Sequence, residues 1–302
     1  HWYVVVVDGT VQEKCRSGFE SDGKTATNGA RYRYVLQAML LGPGGRAFPL
    51  IHEFVDMHDP VADKEDCELK AFARLSRRIK QEFPRLPICL VGDALYACEP
   101  VLRICRQNQW KYVLTLKEGR QPTTWSELLQ LLPLNRANRL RFRTGPAGQQ
   151  GTQDFRWVEK IMLGKLETNA ILLGEVTPKT ATLYAYVTNF AHLTPDRVQS
   201  IVLEAGRKRP LIEDTFHTEK HHGIGLEHVF CANTNAAKNY FTMMQVAQIL
   251  WNLLCYGCLK RLYQWARDAT AQGLARAIWD ALRAYRLPPD LPLLGQIRFC
   301  SD

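Results

Sequence analysis

The sequence has no second cysteine pair, no uninterrupted apolar run of membrane-spanning length, and no internal repeat or low-complexity tract. Each absence removes a class of protein. Cys255-Tyr-Gly-Cys258 is the one CxxC, it lies inside an apolar helical run, and a zinc ribbon would need a second pair. The nine cysteines (15, 67, 89, 98, 105, 231, 255, 258 and 300) are odd in number and scattered through core-like segments. That usage points to reduced thiols in a cytosol-like compartment, not a disulfide framework. The most apolar stretch, Tyr240 to Leu259, is interrupted by Gln245, Gln248 and Asn252. A membrane span needs about twenty nearly uninterrupted apolar residues, so this segment is expected to be a buried core helix in a soluble protein with no membrane partner. The chain opens on His1-Trp2-Tyr3-Val4, already strand-like, with no initiator Met and no signal-peptide pattern. An upstream part is therefore expected.

What is present can build a core. Of 302 residues, 46% are hydrophobic, enough for one large domain or two modest ones. Lys and Arg number 39 against 30 Asp and Glu, a net charge of +9. The excess is moderate and tilts the expectation toward nucleic acid, since phosphate contacts depend on clustered basic residues.

Trp2 to Val7 is a continuous β-branched and aromatic run, the pattern of a strand buried on both faces, and it is expected to end at the turn-like Asp8-Gly9-Thr10. Arg31 to Leu41 and Phe48 to Val55 are the next strands, joined through Gly42-Pro43-Gly44-Gly45. From Lys64 to Phe83 the apolar residues Leu69, Phe72, Leu75, Ile79 and Phe83 recur at helical steps, with a basic outer side. A short strand, Pro87 to Gly92, follows and ends at Asp93; a helix over Glu99 to Gln107 and a strand over Tyr112 to Leu116 complete the first part. Three meandering strands and then alternating units predict a mixed sheet covered by helices. Residues 119 to 189 read as a β-rich insertion, with strands at Arg139–Arg143, Phe155–Leu163, Ala170–Val176 and Thr182–Val187. Thr194-Pro195-Asp196 then starts a helix, Gly206 suits its C-cap, and Pro210 opens another through Lys220.

Asp8 and Asp93 share one grammar, an apolar strand that stops at an aspartate. Ligands gather beyond strand ends in open sheets, so two such acids can meet although far apart in sequence. Carboxylates brought close repel unless a cation sits between them, and a hard divalent ion such as Mg²⁺ suits oxygen donors. An aspartate after a strand is also ordinary turn chemistry. A third acid, Glu213, lies in Arg209-Pro210-Leu211-Ile212-Glu213-Asp214-Thr215-Phe216-His217-Thr218-Glu219-Lys220. Residues 213, 217 and 220 share one helix face, placing acid and base about 10 Å apart along the axis. An ordinary solvated face with ion pairs has the same pattern.

Three segments, Val6-Val7-Asp8-Gly9-Thr10, Asp66-Cys67-Glu68-Leu69-Lys70-Ala71 and Gly92-Asp93-Ala94-Leu95-Tyr96, resemble those of DDE transposases of bacterial insertion sequences. The frame from Arg209 through Glu213 to Lys220, followed by Gly225-Leu226-Glu227-His228, is similar to their Glu-bearing signature. The likeness spans nearly the whole chain. One subgroup carries a Tyr three residues before the Arg, where this chain has Gly206, so that Tyr's role in gripping DNA does not transfer. The resemblance implies a ribonuclease H-like fold: a mixed five-stranded sheet flanked by helices, formed by residues 1–118 and 190–235. A β-strand insertion at 119–189 would interrupt it, and a helical region, 236–302, would follow. The upstream part would bind DNA. Asp8, Asp93 and Glu213 would be the metal-binding catalytic triad, with Asp8 bridging two Mg²⁺ ions about 4 Å apart; Mn²⁺ would substitute. The implied activity is strand cleavage and strand transfer at the terminal inverted repeats of an insertion sequence and on target DNA. The implied assembly is a homodimer on paired ends, in the bacterial cytoplasm with the nucleoid.

Other residues leave alternatives. Arg209 and Lys220, with Arg207 and Lys208, are candidate DNA contacts. His217 and His221 stand at i, i+4, a spacing that suits zinc, but no third ligand is evident; contact with DNA is the other reading. Trp157 is either insertion core or a ring that stacks on a flipped base. Glu53, Asp56, Asp66 and Glu68 are further acids, supporting or structural. Two other functions stay open: a transposase-derived DNA-binding protein without catalysis, and a metal-dependent nuclease that does not transpose.

Overall fold

The computed structural model describes residues 2–15, 24–25, 31–42, 46–55, 64–145, 151–221, 225–254, 257 and 271–284. The glycine turn at 43–45, Asp56, His222, Cys255 and Cys258 lie outside them, as does most of the chain after residue 254.

The apolar run at the start forms the middle of a sheet. In β1 (Tyr3–Cys15), Val5 and Val7 pack into one core and Val6 into the other, so a strand covered on both faces needs apolar residues without alternation. β3 (Arg31–Gly42) lies antiparallel to β1 and is flanked by β2 (Lys24–Thr25) and β4 (Arg46–Phe54). On the other side of β1 come β5 (Ile88–Gly92), parallel to β1, and then β6 (Lys111–Thr115), parallel to β5. The order β4-β3-β1-β5-β6, three antiparallel strands followed by two parallel ones, is the ribonuclease H-like arrangement expected from the sequence.

The sheet does not stop at five strands. β7 (Arg139–Thr144), β8 (Gly151–Leu163), β9 (Leu166–Val176) and β10 (Ala181–Thr188) come from the β-rich stretch. β10 pairs antiparallel with β6, Tyr186 opposite Thr115, and the order continues β6-β10-β9-β8-β7. The stretch thus extends the core sheet to ten strands among the described residues and covers the edge of β6, whose amide and carbonyl groups would otherwise lie bare. A helix not foreseen in this stretch, α3 (Pro122–Leu131), buries Leu128.

Helices close both faces. α1 (Lys64–Glu82) and α2 (Glu99–Gln107) join α3 on one face, through Phe72, Leu75, Ile79, Val101 and Leu102. α4 (Pro195–Glu204) and α5 (Pro210–His221) cover the other through Val198, Ile201, Ile212 and Phe216. Thr194 caps α4 as expected, its hydroxyl accepting from the Arg197 amide. Gly206 is not that helix's cap; it begins a 3-10 turn, Gly206–Lys208, where a Cβ would stand 2.8 Å from the Tyr186 ring.

α6 (Thr234–Asn252) is the clearest departure in packing. Its polar residues Gln245, Gln248 and Asn252 are buried, while Met243, Val246 and Leu250 are exposed. The reason is a polar partner beneath it: Gln245 donates to the buried Glu219 carboxylate (3.3 Å), and Gln248 donates to Asn252. The segment before α6 is tied to the sheet by a buried ion pair, Glu13 with Arg33. Glu13 accepts from the Phe230 amide (3.1 Å), and Arg33 donates to the Ala232 carbonyl (2.8 Å). A last helix, α7 (Ala271–Ala284), is also described. Among the described residues no helix is long and apolar enough to cross a membrane.

Candidate active site

Asp8 does not end its strand. β1 runs on to Cys15 because β3 pairs with it throughout, Asp8 opposite Gln37. What ends near Asp8 is the pairing on the other side, whose last match is Val6 with Val91. Carried two residues further, that register leads from Asp8 toward Asp93, which follows β5, and the two carboxylates interact electrostatically. The sheet therefore opens where the two acids stand.

Their local environments differ. Asp8 Oδ1 accepts from the Gly9 amide at 2.9 Å, and its carboxyl is 18% exposed. Burial pushes the Asp8 pKa up to about 6; the Arg209 guanidinium and the Gly9 amide oppose this, while the nearby carboxylates of Asp93 and Glu68 add to it. Asp93 follows β5 in a turn, where its Oδ1 accepts from the Leu95 amide at 2.9 Å and its carbonyl from Tyr96 at 3.2 Å. Turn formation and a place in the acid cluster thus coincide in one residue.

Glu213 arrives from the first turn of α5 and is 53% exposed. Arg209, one turn earlier, links it to the sheet: the guanidinium donates to Glu213 Oε1 (2.8 Å from Nη1, with Nη2 closer) and to Asp8 Oδ2 (3.4 Å). One cation therefore joins acids from a strand and a helix. No three His, Cys, Asp or Glu side chains among the described residues converge closely enough to hold a metal ion. Glu213 faces the guanidinium instead.

The remaining basic candidates are spread around this point. Lys220 pairs with Glu227 (3.0 Å) rather than facing Glu213. Arg207 pairs with Glu175 (3.2 Å) and lies 4.0 Å over the Tyr184 ring. Lys208 lines a groove of about 1010 Å³ with Trp2, Phe190 and Arg197, by the start of β1 and away from Asp8. His217 is exposed, its ring 4.7 Å from that of His221, with no third metal donor among the described residues. Trp157 is 3% exposed and packs in the core with Phe155, Ile171 and Tyr186, so stacking on a flipped base is replaced by the core reading. Glu53 is held by Arg74 and Arg78, a structural tie between β4 and α1.

Sequence reasoning missed the surroundings of Glu68. Its buried carboxylate accepts from the Tyr34 hydroxyl (3.1 Å) and the Tyr96 hydroxyl (2.8 Å) and bears electrostatically on Asp8. Tyr96 was visible as the last residue of its motif, but Tyr34 carries no local signal. Gln37, cross-strand from Asp8, is 1% exposed, and neither atom of its amide has a partner among the described residues.

Residues 3–250 match the family described as the transposase DDE domain, and the chain belongs to that family. Among solved structures, a cryo-EM piggyBac transposase synaptic complex with hairpin DNA is similar at 9% identity and a TM-score of 0.45. The match covers 82% of this chain and 45% of that one, so the chain spans less than half of that protein's length. No curated protein matches the sequence.

Proposed function

We propose that the chain is the catalytic part of a DNA transposase that cleaves and joins strands at the ends of an insertion sequence, with Asp8, Asp93 and Glu213 as its metal ligands. The observation that carries this reading is the Arg209 bridge. It joins Glu213 of α5 and Asp8 of β1 through one guanidinium, and the Asp93 carboxylate bears electrostatically on Asp8. The family match supports the same chemistry.

The donors fit a hard divalent ion. All three are carboxylates, the burial of Asp8 disfavours its charge unless a cation is near, and the one cation now touching two of them is a guanidinium. Bound Mg²⁺ or Mn²⁺ would supply Lewis-acid activation of the attacking oxygen and stabilisation of the leaving oxygen. Asp8 and Asp93 would be the fixed donors, and Glu213 would turn from Arg209 to join them. Arg209, if released, would be free to meet a phosphate, and a guanidinium matches phosphate geometry with two donors. Arg207 and Lys208 on the turn before α5, with His217 and Lys220 on α5, would be further contacts for double-stranded DNA, both terminal repeats and target. Two copies acting on paired ends in the nucleoid complete the reading, with residues 119–189 as an insertion into the catalytic core of 1–118 and 190–235.

The experiment is nicking of DNA carrying the matched inverted repeats that flank the gene, with Mg²⁺ or Mn²⁺ supplied. The expected result is metal-dependent cleavage that Asp93→Ala abolishes. Unchanged cleavage in that variant overturns the triad. Sequence-specific binding without metal-dependent cleavage identifies an inactive DNA-binding derivative instead, and cutting of DNA that lacks the repeats identifies a plain nuclease.

A further inference from the structure

A carboxylate buried on an apolar helix face is costly unless its oxygens are hydrogen-bonded. Glu68, near the start of α1, is 5% exposed, on the face that also carries Phe72 and Leu75. Both oxygens accept from phenols, Oε1 from Tyr96 and Oε2 from Tyr34. Burial and the neighbouring carboxylates raise the pKa of both phenols, so both keep their protons and remain donors.

The two tyrosines end against two particular glycines. A Cβ at Gly9 would lie 2.2 Å from the Tyr34 hydroxyl oxygen, and one at Gly92 would lie 2.9 Å from the Tyr96 ring. Contacts that short exclude any other residue without displacement of the tyrosines. Gly9 follows Asp8 and Gly92 precedes Asp93. Each candidate ligand thus has a glycine as its neighbour, each glycine has a tyrosine packed on it, and one carboxylate holds both tyrosines. Phe72 meets the Tyr96 ring edge-on at 5.4 Å and steadies it from α1.

We propose that Glu68 is a positioning residue: by tethering Tyr34 beneath Gly9 and Tyr96 beneath Gly92, it sets the separation of Asp8 and Asp93 at which a divalent ion is held. The proposal rests on the metal-binding reading above and adds a device that none of its ligands contains. Shape alone does not account for an acid here, since a well-packed apolar residue in place of a buried charge often leaves stability unchanged or higher. Supporting contacts of this kind typically change metal affinity by about 10–100-fold.

The test is Mn²⁺ binding by the full chain, read by electron paramagnetic resonance, with thermal melting in EDTA as the check on folding. Glu68→Gln keeps the size but exchanges one acceptor oxygen for a donor. The double variant Tyr34→Phe/Tyr96→Phe keeps both rings and removes the two hydroxyls that donate to Glu68. Both are expected to weaken Mn²⁺ binding by about 10–100-fold while melting cooperatively near the wild-type temperature. Wild-type affinity in Glu68→Gln overturns the proposal. Wild-type affinity in the double variant, with affinity lost in Glu68→Gln, overturns it differently, by making Glu68 a ligand. If Glu68→Gln fails to fold, the double variant decides. Mn²⁺ binding that survives Asp93→Ala overturns the underlying function instead.

Discussion

Asp8 and Glu213 grip the same guanidinium from opposite circumstances. Asp8 lies within a strand paired to β3, 18% exposed, beside the Gly9 amide and two further carboxylates. Glu213 lies on the first turn of a helix, 53% exposed, with Arg209 as its tie to the sheet. A sheet strand gives a ligand whose position is set before any ion arrives, because moving it would break a ladder of backbone hydrogen bonds. A helical acid in solvent can change rotamer at small cost. On the proposed reading the site would combine a fixed half and an adjustable half, with Arg209 joining the two.

This contrast can be broken most directly by exchanging charges. Asp8→Asn should lower metal-dependent DNA cleavage and Mn²⁺ affinity by more than the roughly 100-fold typical of a lost supporting contact. Glu213→Gln should lower cleavage strongly but Mn²⁺ affinity by only about 10-fold, a loss at the mild end of that range, since two fixed carboxylates remain. Equal losses of affinity in the two variants, measured by Mn²⁺ titration, would erase the distinction between fixed and adjustable donors.

A second measurement contrasts two acids on one helix. Glu219 lies on α5 like Glu213, but it is fully buried, and burial raises its pKa from 4.5 to about 7 against the opposing Gln245 amide and Lys220 charge. The fold thus prefers the protonated acid. Its contribution to stability is complete below pH 4.5 and is lost as pH rises through about 7. Glu219→Gln should match wild type near pH 4.5 and exceed it at pH 8 by roughly 2–3 kcal/mol at most, read from urea unfolding at both pH values. A pH-independent difference would mean that the carboxyl is not held protonated. The smallest effect concerns the guanidinium. Arg209→Ala in EDTA should cost about 1–2 kcal/mol, discounted for its partial exposure, and saturating Mn²⁺ should narrow that deficit by neutralising the same acids. Equal stability with and without the ion would separate Arg209 from the metal site.

Several of these features were legible in residue order. The valines before Asp8 and the Pro87–Gly92 run before Asp93 marked two buried strands, and both formed, although β1 runs past Asp8 to Cys15. Glu213 was found mainly through the frame from Arg209 to Lys220 that resembles the DDE transposase signature, yet that frame did not reveal their partners: Arg209 turns to Asp8, and Lys220 turns to Glu227. Helical periodicity says which residues share a face, not what lies opposite that face. The same gap explains α6, where an apolar run looked like core although Gln245, Gln248 and Asn252 face inward and Gln245 meets Glu219. It also explains Trp157, whose burial depends on β9 and β10 as neighbours.

Local chemistry was enough to specify that the apolar runs before Asp8 and Asp93 become strands, that Asp93 follows its strand, and that a helix opens at Pro210. Those outcomes follow from interactions between residues close in the chain. The electrostatic influence of Asp93 on Asp8 depends on the parallel pairing that sets Val6 against Val91, and the contacts at their glycines depend on Tyr34, Glu68 and Tyr96 arriving from separate parts of the fold. Such contacts belong to long-range pairing, where each partner's place is fixed by the packing of the whole sheet and not by its own neighbours in sequence.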